Sequence, residues 1–153
     1  MTVPASIDLR EVIFINERCR KEFVALPEKV LESADQAIDT LQNDQQLSPK
    51  MRTSLKEKNL KGIDEIKIPY DSDTYRVFIH LGCVWVVMIL GAEIKKAKTG
   101  IDMPQALKEK LASRLKKAKI YCDDNAEDLL EAYDRRKHAR DLVERKSTLR
   151  TVR

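Results

Sequence analysis

Four apolar positions in a row, Val12-Ile13-Phe14-Ile15, predict a first strand, and Asn16 both ends it and suits the N-cap of a short helix through Ala25. Pro27 fits the opening of a second helix. There Val30, Leu31, Ala34, Ala37, Ile38 and Leu41 recur at spacings of three and four, which gives one apolar stripe. The polar run Gln42 to Gln46 stops that helix. Ser48-Pro49 is expected to open another short helical turn with Met51 and Leu55 facing inward. From Gly62 the period changes to two: Ile63, Glu65 and Lys67 point one way, Asp64, Ile66 and Ile68 the other. The cluster Pro69 to Asp73 predicts a turn, Thr74 to Leu81 a strand, Gly82 a second turn, and Val84 to Leu90 a central strand buried on both faces. Short connections between these three strands predict an antiparallel meander. A basic helix starts near Asp102 and Pro104, with Leu107, Leu111, Leu115 and Ala118 as its apolar stripe. The charged segment from Asp123 to Arg153 predicts one more helix with a thin stripe (Leu129, Leu130, Tyr133, Leu142, Val143), which docks weakly, meets a partner or stays mobile.

These 153 residues suit one domain with a helical appendage, expected as 1–122 and 123–153. The apolar fraction of 42% is enough for a core. Neither the opening MTVPASIDLR nor the run Val84 to Leu90 suggests a signal peptide or a membrane span, so the expectation is a cytoplasmic protein with no membrane contact. Cys19, Cys83 and Cys122, an odd number without a CxxC, are expected to be buried small hydrophobes in a reducing compartment. With His80 and His138 as the only histidines, neither a metal nor another cofactor is expected.

Charge changes the picture more than composition does. Lys50 to Lys117 holds 15 Lys and Arg against 8 Asp and Glu, whereas the rest of the chain is acidic on balance. A basic central block suits a polyanion, and equally a solvated lysine-rich surface. Lys56, Lys58 and Lys61, then Lys67, Arg76, and Lys95-Lys96 with Lys98 come from four separate places in the sequence. In a meander Lys67 and Arg76 lie on neighbouring strands and can meet on one face. Alternation puts Arg76, Phe78 and His80 together there, and cations beside an aromatic suit an RNA backbone and an unstacked base. Bland readings stand beside this one: Lys95 as a solvated lysine after a strand, Arg76 paired with Glu65 or Asp64, His80 as a satisfied half-buried histidine.

The stretches Asn59-Leu60-Lys61-Gly62, Asp64-Glu65-Ile66-Lys67-Ile68 and Tyr75-Arg76-Val77-Phe78, then the apolar strand leading to Lys95-Lys96, resemble the RelE/HigB toxins, closest to their phage-derived HigB-like branch. The resemblance covers roughly Val12 to Tyr121. It implies an α+β fold: two N-terminal helices packed on a small antiparallel sheet, a basic helix after the last strand, and here an extra C-terminal helix, with the other sheet face basic. It also implies the toxin of a type II toxin–antitoxin pair, a ribosome-associated, metal-independent mRNA endoribonuclease. The partners would be mRNA, the ribosome and a cognate antitoxin, a small helix-turn-helix protein. In that chemistry a ribose 2′-oxygen attacks its own 3′-phosphate and a 5′-hydroxyl leaves; cations serve because negative charge grows on the phosphoryl oxygens.

Carried over by motif, Arg76 would clamp the phosphate with its planar fork. Lys67 would help deprotonate the 2′-hydroxyl, a task that needs a lysine pKa depressed by neighbouring cations. Lys95 and Lys96 would stabilise the transition state. Lys61 and Lys98 would hold RNA; the charge pattern and strand alternation, apart from the resemblance, add Lys56, Lys58, Phe78 and His80 to that surface. The chain departs from the family pattern at Glu65, where a second basic residue is common, and at Met103, where some relatives carry tyrosine. Two other readings stay open: a catalytically silent phage or mobile-element accessory, and a ParE-like toxin directed at gyrase, a branch that does not need the Lys67–Arg76–Lys95 constellation.

Overall fold

The structure, a computed structural model, describes residues 7–95 and 103–148. Its elements run β1 (Glu11–Phe14), α1 (Glu17–Val24), α2 (Glu28–Gln42), β2 (Arg52–Ser54), a 3-10 turn (Lys58–Leu60), β3 (Asp64–Tyr70), β4 (Asp73–His80), β5 (Val86–Lys95), α3 (Gln105–Asp124) and α4 (Ala126–Thr148). This is an α+β fold around one five-stranded sheet in the order β1-β5-β4-β3-β2, antiparallel except where β1 runs parallel to β5. The β3-β4-β5 meander forms as its pattern dictates, and Asn16 caps α1 by accepting the Cys19 N–H at 2.8 Å.

Three points differ from expectation. The segment after Ser48 makes the expected single turn, with Met51 and Arg52 N–H both reaching Ser48 O, but Arg52–Ser54 then runs as a short edge strand, which was not expected. The last strand runs five residues past Leu90, to Lys95, because Glu93 sits in register opposite Arg76 and pairs with it. The cysteines are not all lone hydrophobes: Cys83 and Cys122 form a disulfide that ties the β4–β5 connection to the last turn of α3. Only Cys19 remains a buried thiol, its pKa pushed up to about 12 by burial, with Sγ hydrogen-bonded to Ile89 O.

Both sheet faces are covered. Ile66, Ile68, Val77, Ile79, Val87 and Ile89 pack under α1 and α2. Ile63, Phe78, Val86, Met88 and Leu90 pack under Leu107, Leu111, Leu115 and Ala118 of α3, together with Leu129 of α4. The sheet therefore has no broad open basic face. α3 passes through the expected boundary at residue 122 and ends at Asp124. α4 is anchored in its first half: Tyr133 stacks on Trp85 (ring centroids 4.6 Å apart) and donates to Asp8, whose carboxyl is held below its ordinary value chiefly by its hydrogen bond from Arg140. Among the described residues no helix is long and apolar enough to cross a membrane.

The β3–β4 connection is a two-residue hairpin, Tyr70 opposite Asp73, with Asp71 and Ser72 both at positive φ (51° and 69°). That is the mirror-image turn favoured by strand twist, and glycine suits its second position. Ser72→Gly is expected to raise stability by about 0.5–1 kcal/mol, read as a higher chemical-denaturation midpoint with unchanged slope.

Candidate functional site

At the end of the sheet farthest from the disulfide, β2, β3, β4 and β5 and the loop after β2 enclose a pocket of about 330 Å³. Its lining includes Lys56, Lys67, Arg76 and Lys95, with Glu57 and Glu65 as the acids and Leu55, Leu60 and Met103 as apolar wall. The register explains the grouping: Lys67 pairs with Arg76, and Thr74, next but one along β4, pairs with Lys95. Side chains two apart on a strand share a face, so these cations converge although they are distant in sequence. Glu57 takes an ion pair from Lys108 of α3 at 2.7 Å, which fixes the loop carrying Lys56.

Arg76 is not a free arm. It is 3% exposed, donates to Glu93 Oε1 at 2.5 Å and lies 5.6 Å from the Phe78 ring centroid. Of the sequence alternatives for its partner, Asp64 is engaged by Arg52, and the ion pair of Arg76 goes to Glu93. A guanidinium held this way is a positioned cation at the pocket wall.

Of the residues singled out from sequence, Lys56, Lys67, Arg76 and Lys95 come together. Lys58 and Lys61 are exposed and lie outside the pocket lining. Lys96 and Lys98 lie outside the described residues. Phe78 and His80 share Arg76's face, as alternation requires, but α3 covers that part of it. Phe78 has no exposed surface, so it offers no plane to an RNA base. His80 is 6% exposed, its Nδ1 lies 2.6 Å from Gly62 O, and it packs tightly against Gly82. A Cβ at Gly82 would come within 2.5 Å of the ring, so His80 is a wedge between two glycines and not an RNA contact. Sequence reasoning missed Thr53 and Ser54, because a three-residue edge strand leaves almost no periodic signal. Among the described residues no group of His, Cys, Asp and Glu could hold a metal ion.

The fold and pocket define an α+β protein with buried and half-buried cations gathered at one end of a meander. Residues 21–119 match the family described as phage-derived protein Gp49-like (DUF891), and the chain belongs to that family. No curated protein and no solved structure gives a significant match.

Proposed function

We propose that this chain is the toxin of a type II toxin–antitoxin pair and acts on mRNA as a metal-independent endoribonuclease at the ribosome. One observation carries the reading: Lys56, Lys67, Arg76 and Lys95, from three strands and a loop, line a single pocket. Membership of the phage-derived family and the resemblance of the Tyr75-Arg76-Val77-Phe78 strand to RelE/HigB toxins point the same way. In this pocket the scissile phosphate lies against Arg76, whose fork is fixed by Glu93. Lys67 and Lys95 flank it on the neighbouring strands. The 2′-hydroxyl gives up its proton as its oxygen bonds to phosphorus, the bond to the 5′-oxygen breaks, and that oxygen takes up a proton and leaves as a 5′-hydroxyl, with a 2′,3′-cyclic phosphate remaining. Fixed cations stabilise the charge that develops on the phosphoryl oxygens.

The test uses Lys67→Ala and Lys95→Ala, because both side chains are partly exposed and their loss leaves the core intact. Each is expected to lower the rate of mRNA cutting by about 100-fold, read by primer extension on ribosome-bound message, with an unchanged melting temperature. RNA affinity should also fall with salt, with a log–log slope of about −2 to −3 for three or four neutralised phosphates on a single strand. Growth inhibition and cutting unchanged in both variants would remove the pocket from the mechanism. A second reading, a catalytically silent RNA-binding accessory, is favoured by the burial of Arg76 and its pairing with Glu93. RNA binding with a steep salt slope but no cleavage in the same assay selects it.

A further inference from the structure

Glu65 stands out in the pocket because its buried Oε1 has no hydrogen-bond donor among the described residues, although cations line the same cavity. Its side chain is in the same cavity lining as Lys56, Lys67, Arg76 and Lys95, yet the residue is only 6% exposed. A buried acceptor left without a donor lowers stability, so an apolar side chain at this position would serve folding better. Its strand neighbours offer no compensation: Phe78 is opposite on β4 and Thr53 on β2. Leu55, Leu60 and Met103 complete an apolar wall beside it. Glu57, the other acid of the lining, is exposed and paired with Lys108, so Glu65 is the buried carboxylate of the recess. An apolar wall with a buried acceptor in it and cations at hand is how a protein holds the flat face and one edge of a base while gripping its phosphate.

We propose that this pocket reads a nucleobase through Glu65, and that the base is guanine; the inference rests on the reading of the chain as an RNA-directed protein and names what that site selects. An ionised carboxylate only accepts hydrogen bonds. Guanine offers it two adjacent donors, N1–H and the N2 amino group, on its Watson–Crick edge. Adenine and cytosine each set an amino group beside a ring nitrogen whose lone pair would face the carboxylate. Uracil has one N–H between two carbonyls. Guanine alone matches an acceptor-only partner with two donors, and hydrogen bonds to a charged acceptor are the stronger kind. The pocket's volume admits a purine.

The experiment titrates the full-length protein with 5′-GMP, 5′-AMP, 5′-CMP and 5′-UMP in turn, followed by calorimetry and amide chemical shifts. Wild type and Glu65→Gln are compared, and the same pair is mapped for cleavage by primer extension. The wild type is expected to bind GMP about ten-fold more tightly than the other three. Glu65→Gln should erase that preference while its melting temperature holds or rises. Equal affinities in the wild type, or a preference unchanged in the variant, overturn the inference. So does a lower melting temperature in Glu65→Gln, which would make the carboxylate a folding group. So does loss of cutting at every sequence with GMP binding intact, which would make it a proton acceptor. Guanine preference without RNA cleavage leaves this inference standing and sinks the nuclease reading; cleavage without guanine preference does the reverse.

Discussion

Replacing Glu22 by leucine is expected to destabilise the protein by about 3 kcal/mol, the lower end of the range for a buried charge left without its partner, because Arg114 is buried while Glu22 is half-buried. Arg114 of α3 has a side chain 5% exposed and gives both terminal nitrogens to Glu22 of α1, each at 2.8 Å. The pair sits where the sheet is incomplete. β1 ends opposite Ile89, so the next residues of β5 have no strand beside them on that side. Arg114 donates to Leu90 O at 2.8 Å and Glu22 accepts from Ala92 N at 3.4 Å, so the two side chains stand in for the missing strand and clasp α1 to α3 around the sheet edge. Gly91 lies between those two residues, and a Cβ there would meet both charged groups at 3.4 Å. With Glu22 gone, a guanidinium stays buried against one carbonyl.

The double substitution Glu22→Leu with Arg114→Met should recover most of the loss, because replacing both partners with apolar groups removes the uncompensated charge. Additive losses in that cycle, measured by urea denaturation, would show that the clasp is not a coupled unit. Acid pH supplies a second check. Burial alone would raise the Glu22 carboxyl, but the Arg114 hydrogen bonds and charge, helped by Lys110, outweigh it and hold it below its ordinary value. A carboxyl whose folded pKa is depressed contributes stability that is full above its unfolded value, near 4.3, and lost as pH falls through the folded one. The gap between wild type and Glu22→Gln should therefore be widest at neutral pH and narrow below about pH 4.

Alternation along β4 revealed which side chains share a face, and it was right for Arg76, Phe78 and His80. What alternation cannot reveal is whether another element covers that face. α3 does so over Phe78 and His80 and stops short of Lys67 and Lys95, so the site is the uncovered end of a mostly buried surface. The helices were legible because their stripes repeat for several turns: Val30, Ala34, Ala37, Ile38 and Leu41 are all buried. β2 was not, since three residues held by β3 carry no pattern of their own. Glu93 hid the end of β5, because a charge after an apolar run reads as the end of a strand, and its partner across the sheet is 17 positions away. Glu65 was visible only as a departure from a family pattern. Its isolation is a three-dimensional fact.

The cysteines give the other large expected effect. Cys83 and Cys122 are 39 positions apart, with Cα atoms 5.7 Å from one another, too remote in sequence for any spacing rule to pair them. The bridge closes a loop that contains β5 and nearly all of α3, and in the chain-entropy account cross-linking a loop of that length stabilises by about 4 kcal/mol. Reduction, or the double substitution Cys83→Ser with Cys122→Ser, should lower unfolding free energy by that order while the far-ultraviolet circular dichroism of the folded protein is retained. Cys19 does not confuse the assay: buried, with its thiol pushed up to about 12, it resists the thiol reagents that label a reduced Cys83 or Cys122. The pocket lies at the other end of α3, beside Met103, so the RNA affinity proposed for it should be the same at low temperature in the oxidised and reduced forms. The two forms should separate only on heating, with the reduced protein losing both its structure and its RNA affinity at the lower temperature. Equal melting temperatures would show that the two sulfurs are neighbours without a bond that constrains the unfolded chain.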